Sequence, residues 1–568
     1  MSLNPFAGAV QHKASSETPT EWPDRVAPKL ALPYLVGTGS PRPKGDPWQE
    51  RMITDTLRLS SAILAGEQGV GKSIAGSAFA LWSRDNGFKA TLWVCPPVMV
   101  PTAVREMGRF TPDLTVTVLR GQTPSDLPEA DVYVCPDSVI AYWADALIDS
   151  KVIQSVVVDE AHRMGRKSAR AEAMQRITST LDPAAPNIWM TGTPISNHPI
   201  EMGPLLIGLN RIEQWRHSES GTALTQFLDA YCPKVGDWGG RGVDWDRIPE
   251  LHARLTGSTE EAEIPGEVKR SGEVETIKVK TSQTKCMVRL RTMDVLDLDE
   301  RQLMGVALEM DSRTEVLYQR AETDLRRFLK EVCGYSPSRL SGVDRAEALV
   351  RLSTLRRLCS DGVVESSVAY AKSLIENALP GDIPEKVVLF TTHRDAQQAM
   401  HKALGKALAT GPRKATPDLP ASPAITAEER VRFLWGSQSA QSKQKAVDEF
   451  QKVDGPCLGL IANIGSGSVG ITLTASRHVV MSGLPWHKSG LDQCVSRCHR
   501  HGATAGRPVI GHIVLPQMSS GIESVVTRVW GLIEAKGSIC SSVIDGEVGD
   551  DLLVGSDVAD DLIAQYCS

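Results

Sequence analysis

The sequence predicts an α/β protein with two parallel-sheet lobes and a mostly helical insertion between them. Short apolar runs alternate with helical patterns from Trp48 to about residue 200, and this alternation returns after residue 380. Runs of Val, Ile and Leu are typical of parallel strands, because helices cover both faces of a parallel sheet. The predicted strands contain SAILAG at 61, TLWVCPP at 91, DVYVCP at 131, SVVVDEAH at 155, NIWMTGTP at 187, KVVLFTTH at 386, CLGLIAN at 457, HVVMSGLPW at 478 and RPVIGHIVLP at 507.

Composition and periodicity divide the chain into five predicted segments. The first residues are rich in Pro, Ser, Thr and Gly without sustained periodicity, which is typical of a flexible arm. Between the lobes, a stretch rich in Gly, Pro and charge precedes apolar residues on one helical face, from Leu317 to Val332. The predicted segments are the arm 1–40, lobe 1 at 41–215, the insertion and helical linker at 216–380, lobe 2 at 381–540 and a solvated acidic tail at 541–568.

The net charge of the whole chain gives no reason to expect a nucleic-acid partner. The 568 residues include 62 Lys and Arg against 68 Asp and Glu, so the formal net charge is −6, whereas DNA-binding proteins usually show a basic excess. The charge is segregated, however. Seven acids and no Lys or Arg follow residue 540, so subtracting those acids leaves about +1 for residues 1–540. We therefore predict a locally basic cleft and an acidic tail that competes for it or binds something else.

The cysteines and the apolar runs predict a soluble intracellular protein. The 11 cysteines include no CxxC pair and are odd in number, which does not indicate a disulfide framework or a zinc ribbon. Cys494 and Cys498 stand four residues apart, but no further ligand lies nearby in sequence, so we expect no structural metal. The N-terminus lacks the apolar core of a signal peptide, and no stretch approaches the ~20 uninterrupted apolar residues of a membrane span.

The strongest motif is GEQGVGKS at 66–73, which fits the phosphate-loop pattern between a strand and a helical run. Gly66, Gly69 and Gly71 allow backbone N–H groups to turn toward a phosphate at the N-terminus of the following helix. Lys72 would neutralise the terminal phosphates of ATP, and the Ser73 hydroxyl would bind Mg²⁺. A glycine-rich turn that matches by chance is the alternative, which the correct strand and helix disfavour.

A second motif places two adjacent carboxylates, Asp159 and Glu160, at the end of an apolar strand. At a strand tip, Asp159 would lie beside the metal, and Glu160 would polarise the attacking water. The alternative is that the two acids only begin a helix, since acids favour helix N-termini. The position of the motif after a phosphate loop, at a spacing typical of a sheet, favours the chemical roles.

The phosphate loop and the DEAH sequence together resemble the signature of superfamily 2 helicases. Further blocks resemble the Swi/Snf-type DNA translocases over about residues 47 to 535. These blocks are VCPPVMVPTAVREMGRF at 94–110, DEAHRMGRKSAR at 159–170, WMTGTPISNHPIEMGPLLIGLN at 189–210, MVRLRTMDVL at 287–296, LSTLRRLC at 352–359, KVVLFTTH at 386–393, IANIGSGSVGITLTAS at 461–476 and PWHKSGLDQCVSRCHRHG at 485–502. The resemblance implies that both lobes are RecA-like.

The block at 485–502 resembles motif VI of the family, which implies an active motor. Hydrolysis in two-lobed motors needs cations delivered across the cleft to the charge that develops on the γ-phosphate. Arg497 and Arg500 would supply these cations from one face of a helix, with Gln493 on the same side at the nucleotide. A basic surface helix is the alternative, which the position directly after the motif V match disfavours.

The resemblance implies roles for further residues. Gln49 would read the adenine, and His162 would couple the nucleotide site to motif III through Thr191 and Thr193. The side chains implied to face DNA phosphates, each of which could equally be a loop or cap residue, are Ser196, Asn197, Ser466 and Lys488. Two stretches depart from the family: CPDS at 135–138 replaces a Ser/Thr-Tyr pair, and RMGRK after DEAH lacks a Lys-Asn pair.

The function implied by the resemblance is that of an ATP hydrolase that moves along double-stranded DNA in replication, recombination or repair. A replication or repair protein is a candidate partner, and a membrane is not. The small size implies a bacterial or phage setting, hence the cytoplasm, or the nucleus if the source is eukaryotic. Two alternatives stay open among enzymes, a DEAH-type RNA helicase and the motor of a restriction system. A nucleotide-gated DNA-binding scaffold with little turnover is the alternative of another class.

Overall fold

The structure is a computed structural model. It describes residues 48–235, 240–268, 274–295, 298–333, 341–377, 385–412, 423–436, 438–464, 471–500, 507–545 and 558–567. The predicted arm at 1–40 and the predicted DNA contact Ser466 lie outside the described residues.

The strands follow the predicted apolar runs and add several that the runs did not indicate. In chain order they are β1 (Ser61–Gly66), β2 (Ala90–Cys95), β3 (Val116–Val118), β4 (Val132–Pro136), β5 (Ile153–Asp159), β6 (Asn187–Met190), β7 (Lys234–Val235), β8 (Gly240–Arg241), β9 (Glu261–Val268), β10 (Val274–Lys280), β11 (Met287–Leu290), β12 (Gln302–Glu309), β13 (Val387–Thr391), β14 (Val431–Leu434), β15 (Gly459–Asn463), β16 (His478–Met481) and β17 (Ile510–Gln517).

The helices surround these strands, and none of those described combines the length and apolar character needed to cross a bilayer. They are α1 (Trp48–Leu57), α2 (Lys72–Asp85), α3 (Val100–Phe110), α4 (Ile140–Ser150), α5 (Ala169–Thr178), α6 (Met202–Gly208), α7 (Ala223–Tyr231), α8 (Ile248–Thr256), α9 (Thr281–Thr284), α10 (Thr292–Val295), α11 (Ser312–Cys333), α12 (Gly342–Gly362), α13 (Val364–Glu376), α14 (Arg394–Leu408), α15 (Ala427–Arg430), α16 (Ala440–Gln451), α17 (Lys488–Val495), α18 (Val525–Asp545) and α19 (Val558–Cys567).

Lobe 1 is built on a seven-stranded parallel sheet in the order β11-β1-β6-β5-β2-β4-β3. All six residues of β2 are buried, because helices cover both faces of the sheet as the apolar run predicts. β6 lies between β1 and β5, and all three run in the same direction. The phosphate loop after β1 and the DEAH sequence at the end of β5 therefore meet at the carboxyl edge of the sheet, where ligands of such sheets bind.

Lobe 2 is built on a six-stranded parallel sheet in the order β12-β17-β16-β13-β15-β14. β13 is buried along its whole length and pairs with β15 on one side and β16 on the other. The described parts of motifs V and VI follow β15 and β16, so they too lie at the carboxyl edge. The two parallel-sheet lobes predicted from the sequence are thus confirmed.

The segment 216–380, predicted as an insertion and linker, contributes a strand to each sheet. β11 pairs with β1 from Ile63 and Met287 onward, and β12 pairs with β17 over eight residues. Both are edge strands with half-exposed side chains, so they lack the continuous apolar run that marks a buried strand. The rest of the segment is largely helical and includes the hairpin of α11 and α12, in which Leu325 and Leu329 are buried.

The acidic tail predicted to be solvated is in part packed against the protein, and this prediction is corrected. α18 continues to Asp545, and α19 buries Val558, Leu562, Ile563 and Tyr566 in the core of lobe 2. Among the acids of the tail that the structure describes, Asp545 forms an ion pair with Arg289, and Asp561 with Lys536 at 2.7 Å. The excess of acids obscured the apolar face of the helix VADDLIAQYC. Packing of that face, rather than the charge of the segment, determines where the segment lies.

Candidate active site

The phosphate loop joins β1 to α2 through two glycines in the left-handed region. Gly69 and Gly71 have φ of +91° and +101°, which residues with a side chain rarely adopt. A Cβ on Gly71 would lie 2.6 Å from Gln49 Nε2, so no other residue fits there without displacing that side chain. Trp48 Nε1 donates to the carbonyl of Val70 at 3.0 Å, which fixes α1 against the loop.

Lys72 turns its ammonium group into the phosphate loop. Its Nζ donates to the carbonyl oxygens of Gly66 at 2.7 Å and Glu67 at 3.0 Å. Burial lowers the pKa of Lys72, although the carboxylates of Glu160 and Asp159 oppose this effect. Ser73 follows at the start of α2. Burial raises the pKa of Glu106 of α3, an acid that was not among the predicted site residues, and the Ser73 side chain opposes this rise.

The two DEAH carboxylates lie buried at the end of β5. Glu160 has φ of +54°, a strained conformation for a residue with a side chain, and its N–H donates to Asp159 Oδ1 at 3.0 Å. Burial and the charge of Glu160 raise the pKa of Asp159 to about 7. Burial acts on Glu160 in the same direction, but the charges of His162, Lys72 and Arg497 outweigh it, so the pKa of Glu160 is lowered.

The predicted coupling residues form a continuous polar path away from Glu160. His162 Nδ1 lies 3.4 Å from Glu160 Oε2 and 3.0 Å from Thr191 Oγ1. The backbone N–H of Thr193 donates to the same Thr191 hydroxyl at 3.2 Å. Burial lowers the pKa of His162, which favours the neutral imidazole. The DEAH sequence and motif III therefore share one hydrogen-bonded path.

Lobe 2 delivers Arg500 to the phosphate loop. Arg500 Nη2 donates to Gln68 Oε1 at 3.4 Å, and a Cβ on Gly69 would lie 3.5 Å from Arg500 Cγ. Burial and the charge of Arg497 lower the pKa of Arg500 to about 9. The helix predicted to carry both arginines ends at Val495, so they project from the turns that follow α17. This part of the prediction is corrected, because local hydrogen bonds end the helix early.

The remaining predicted nucleotide residues separate into two places. Gln49 is buried against Gly71, and within the described residues its Oε1 has no hydrogen-bond partner. Gln493 lines an interlobe cavity of about 350 Å³ instead, together with Gln68 and Thr193. A buried amide oxygen beside the phosphate loop suits the reading of an adenine, whereas the position of Gln493 suits a role between the lobes.

Of the three predicted DNA contacts that the structure describes, two lie at the same interlobe cavity and the third, Asn197, is buried. Ser196 and Lys488 line the cavity, which α18 borders on one side. A Cβ on Gly537 of α18 would lie 2.6 Å from Lys488 Cδ, so Lys488 packs against that helix. Asn197 is only 1% exposed, and its oxygen accepts from Arg166 Nη2 at 2.9 Å once the carboxamide is oriented to satisfy both of its groups. Asn197 therefore does not face solvent.

An ion-pair network that sequence reasoning missed closes the wall of this cavity. Arg289 of β11 donates from Nε to Asp545 Oδ1 at 2.6 Å and from Nη2 to Glu67 Oε1 at 2.9 Å. Glu67 directly follows Gly66, and Asp545 is the last residue of α18, so this arginine connects the phosphate loop to α18. In the sequence, the one available signal of this ion-pair network was the glutamate inside the phosphate-loop motif.

A second group that sequence reasoning missed, Asp137, connects the two stretches that depart from the family pattern, CPDS at 135–138 and the basic segment after DEAH. Asp137, in the CPDS stretch, is buried and pairs with Arg163 and Arg170 of the basic segment after DEAH. The two unusual stretches therefore contact each other. Similarly, Glu201 Oε2 accepts from the backbone N–H of Ser196 at 2.6 Å and shapes the motif III loop.

These features define the class of the protein: two parallel-sheet lobes that share a phosphate loop, a DEAH sequence and arginines at one cleft make a two-lobed protein of the helicase type. A family model described as SNF2-related domain matches residues 50–362, and one described as helicase conserved C-terminal domain matches residues 376–502. The chain belongs to the SNF2-related family.

Known proteins resemble the chain over most of its length. It is similar to DNA annealing helicase and endonuclease ZRANB3 of Bos taurus, 22% identical over 521 residues, which cover 88% of this chain and 40% of the relative. It is also similar to YwqA of Bacillus subtilis (strain 168), 23% identical over 461 residues, 78% of this chain and 42% of the relative. The chain thus spans about two fifths of the length of these curated relatives.

Among solved structures, the Sulfolobus solfataricus SWI2/SNF2 ATPase core in complex with dsDNA is 17% identical and matches with a TM-score of 0.37. The match covers 86% of this chain and 90% of that chain. The fold assignment above rests on the strand order and the parallel pairing.

Proposed function

We propose that the chain is an ATP-driven motor that moves along double-stranded DNA. The observation that supports this most strongly is the contact across the cleft, where Arg500 of lobe 2 reaches Gln68 of the phosphate loop in lobe 1. Because groups from both lobes meet at one site, the turnover of a nucleotide there would be tied to the closing and opening of the lobes. Such coupled closure is what stepping along a polymer requires.

The residues present fit ATP and Mg²⁺. Gly69 and Gly71 turn the backbone of the phosphate loop beside Lys72, and the buried Gln49 Oε1, which has no hydrogen-bond partner among the described residues, offers an acceptor to an adenine amino group. The Ser73 hydroxyl and the Asp159 carboxylate are hard oxygen ligands of the kind that Mg²⁺ prefers. The metal, when bound, would neutralise charge on the β- and γ-phosphates.

The chain's own groups would then carry the hydrolysis. Glu160 would hold and polarise the attacking water, and its lowered pKa keeps it in the carboxylate form that accepts a hydrogen bond. Lys72 and Arg500 would stabilise the charge that develops on the transferred phosphoryl group. The path from His162 through Thr191 would report the state of the site to motif III.

The choice of double-stranded DNA rests on family membership and on the relative ZRANB3, which is a DNA annealing helicase and endonuclease. The proposal also keeps the cytoplasm of a bacterial or phage-infected cell, or a eukaryotic nucleus, as the setting, with a replication or repair protein as partner. The tests below separate the RNA helicase and the scaffold with little turnover from this proposal, whereas a restriction-system motor would also move along duplex DNA.

A DNA-stimulated ATPase assay tests the motor, and a triplex-displacement assay tests its movement. We expect duplex DNA to stimulate hydrolysis more than single-stranded DNA or RNA, and the protein to displace a third strand from a triplex. Stimulation by RNA alone would favour the RNA helicase. No stimulation by any nucleic acid, with an unchanged rate after Glu160→Gln, would contradict the motor and favour the scaffold.

A further inference from the structure

Gln68 lies between the two groups on which the proposed chemistry depends most. Arg500 makes four hydrogen bonds within the described residues. Three of its acceptors belong to lobe 2, and Gln68 Oε1 is the acceptor in lobe 1. The Gln68 side chain also helps to lower the pKa of the Glu160 carboxyl, an acid of lobe 1. One carboxamide therefore stands between an arginine of one lobe and an acid of the other.

The chemistry of the amide suits this position. A glutamine side chain offers an acceptor oxygen and a donor nitrogen, so it can serve a guanidinium and a carboxylate at the same time. A glutamate would offer only acceptors, and an apolar residue would offer neither. The carbonyl of Gln68 accepts from Thr292 Oγ1 at 3.1 Å, which anchors its backbone, and its Nε2 would lie 3.5 Å from a Cβ on Gly192 of motif III.

We infer that Gln68 is a positioning residue that aligns Arg500 with Glu160 when the lobes close. The inference rests on the proposed function, because it assigns Gln68 a part in the hydrolysis that we propose. The carboxamide holds the guanidinium at the phosphate loop and orients the carboxylate toward the water. Since the hydrogen bond from Arg500 forms only with lobe 2 in place, Gln68 makes hydrolysis conditional on closure.

Gln68→Met tests this inference, because methionine keeps the length of the side chain and removes the amide that accepts from Arg500 and acts on Glu160. We expect kcat for ATP with duplex DNA to fall about tenfold, while KM stays within about twofold, since hydrogen bonds to charged groups contribute at this scale. Gln68→Glu should lose more, because a second carboxylate would repel Glu160 and hold Arg500 in a competing ion pair. Gln444→Met, on the exposed face of α16, is the matched control and should behave as the wild type.

Nucleotide binding separates positioning from a structural role. We expect Gln68→Met to bind ADP with Mg²⁺ as tightly as the wild type but to bind ADP with aluminium fluoride about tenfold more weakly, because the lost contacts belong to the transition state. Equal weakening of both ligands, or a kcat within about twofold of the wild type, would overturn the inference.

A double-mutant cycle with Arg500→Lys tests whether Gln68 acts through that arginine. We expect Gln68→Met to cost less in the Arg500→Lys background than alone, and strict additivity would contradict the assignment. The binding experiments need no turnover, so they test Gln68 even in a wild-type protein without DNA-stimulated hydrolysis. A wild-type protein whose ATP hydrolysis is not stimulated by DNA would contradict the proposed function only.

Discussion

The two ends of the interlobe cleft differ in what covers them. At the nucleotide end, Lys72, Asp159 and Glu160 lie close together beside the glycine turns of the phosphate loop. At the other end, the cavity lined by Ser196 and Lys488 is bordered by α18, whose last residue pairs with Arg289. The difference teaches that the nucleotide end brings the chemical groups together, whereas at the cavity end a basic group, Arg289, is paired with the chain's own carboxylate, Asp545.

The helix α18 itself joins the two lobes. Its first half packs in the core of lobe 2 through Val525 and Val529, and its last residues, Val543 and Ile544, are buried in the core of lobe 1. His252 Nδ1 lies 3.1 Å from the carbonyl of Val543. A nucleic acid that entered the cavity end would therefore meet a helix held in both lobes.

The largest effect is expected from Glu160→Gln at the nucleotide end. The amide cannot accept a proton from the attacking water, so we expect the ATPase rate to fall about a thousandfold with nucleotide binding retained. Steady-state hydrolysis with duplex DNA checks this, and Glu213→Gln, on the surface, is the matched control. A rate within a factor of ten of the wild type would show that another group is the general base. The contrast between the two ends of the cleft would then no longer hold.

A smaller loss is expected from Arg500→Ala, which removes the cation that crosses the cleft. We expect about a hundredfold decrease in kcat, because one preorganised donor to the developing charge is lost. The affinity for ADP should stay near that of the wild type, as measured by fluorescence titration. Arg176→Ala, an exposed arginine of lobe 1, controls for the loss of charge alone. An equal loss in both variants would show that the position across the cleft has no special part.

At the cavity end we expect Asp545→Asn to change DNA binding rather than hydrolysis. Removing the carboxylate frees part of the charge of Arg289, so the affinity for duplex DNA should rise about threefold at low salt and converge with the wild type at high salt. Fluorescence anisotropy over a salt series checks this, with Asp145→Asn as the exposed control. Deleting 541–568 would be a poorer test, because it removes Tyr566 and its neighbours from the core of lobe 2. An unchanged affinity at every salt concentration would leave α18 as a purely structural helix.

The smallest effect on activity is expected from a change in a histidine pair of lobe 2. This pair is distant in sequence from the phosphate loop and the DEAH sequence of lobe 1. His478 Nδ1 lies 3.0 Å from His512 Nε2, and burial lowers the pKa of each to about 4. The unfolded chain therefore binds more protons between about pH 6.5 and 4, so the free energy of unfolding falls as the pH drops through that window, by a few kcal/mol in order of magnitude.

Urea denaturation at pH 7.5 and pH 5 checks this pH dependence. His512→Gln should reduce it, because glutamine does not titrate, while the ATPase rate at pH 7.5 should stay near that of the wild type. A pH dependence that His512→Gln leaves unchanged would shift the cause to other groups, such as the ion pair of Glu385 with Arg477. The contrast between the two ends of the cleft would then need testing at a single pH.

Much of the nucleotide end could be predicted from the sequence, because its residues belong to short motifs. In GEQGVGKS and DEAH, the spacing along one strand and one loop already determines which side chains stand together. The helix assigned to Arg497 and Arg500 was wrong in its extent, since where a helix ends depends on competing hydrogen bonds in the folded chain. The edge strands β11 and β12 were assigned to the linker for a related reason, because a half-exposed strand lacks a strong pattern.

The sequence by itself determined the fold class, the phosphate loop and the DEAH carboxylates, since strand, turn and helix geometry act over a few residues. Only the tertiary structure decided that Arg289 would pair with Asp545, 256 positions away, and that Gln68 would receive Arg500 from the other lobe. It also decided that Lys488 lies against α18 and that half of the acidic tail is packed. Ion pairing and burial depend on which surfaces the two lobes bring together, and no local pattern of residues encodes that contact.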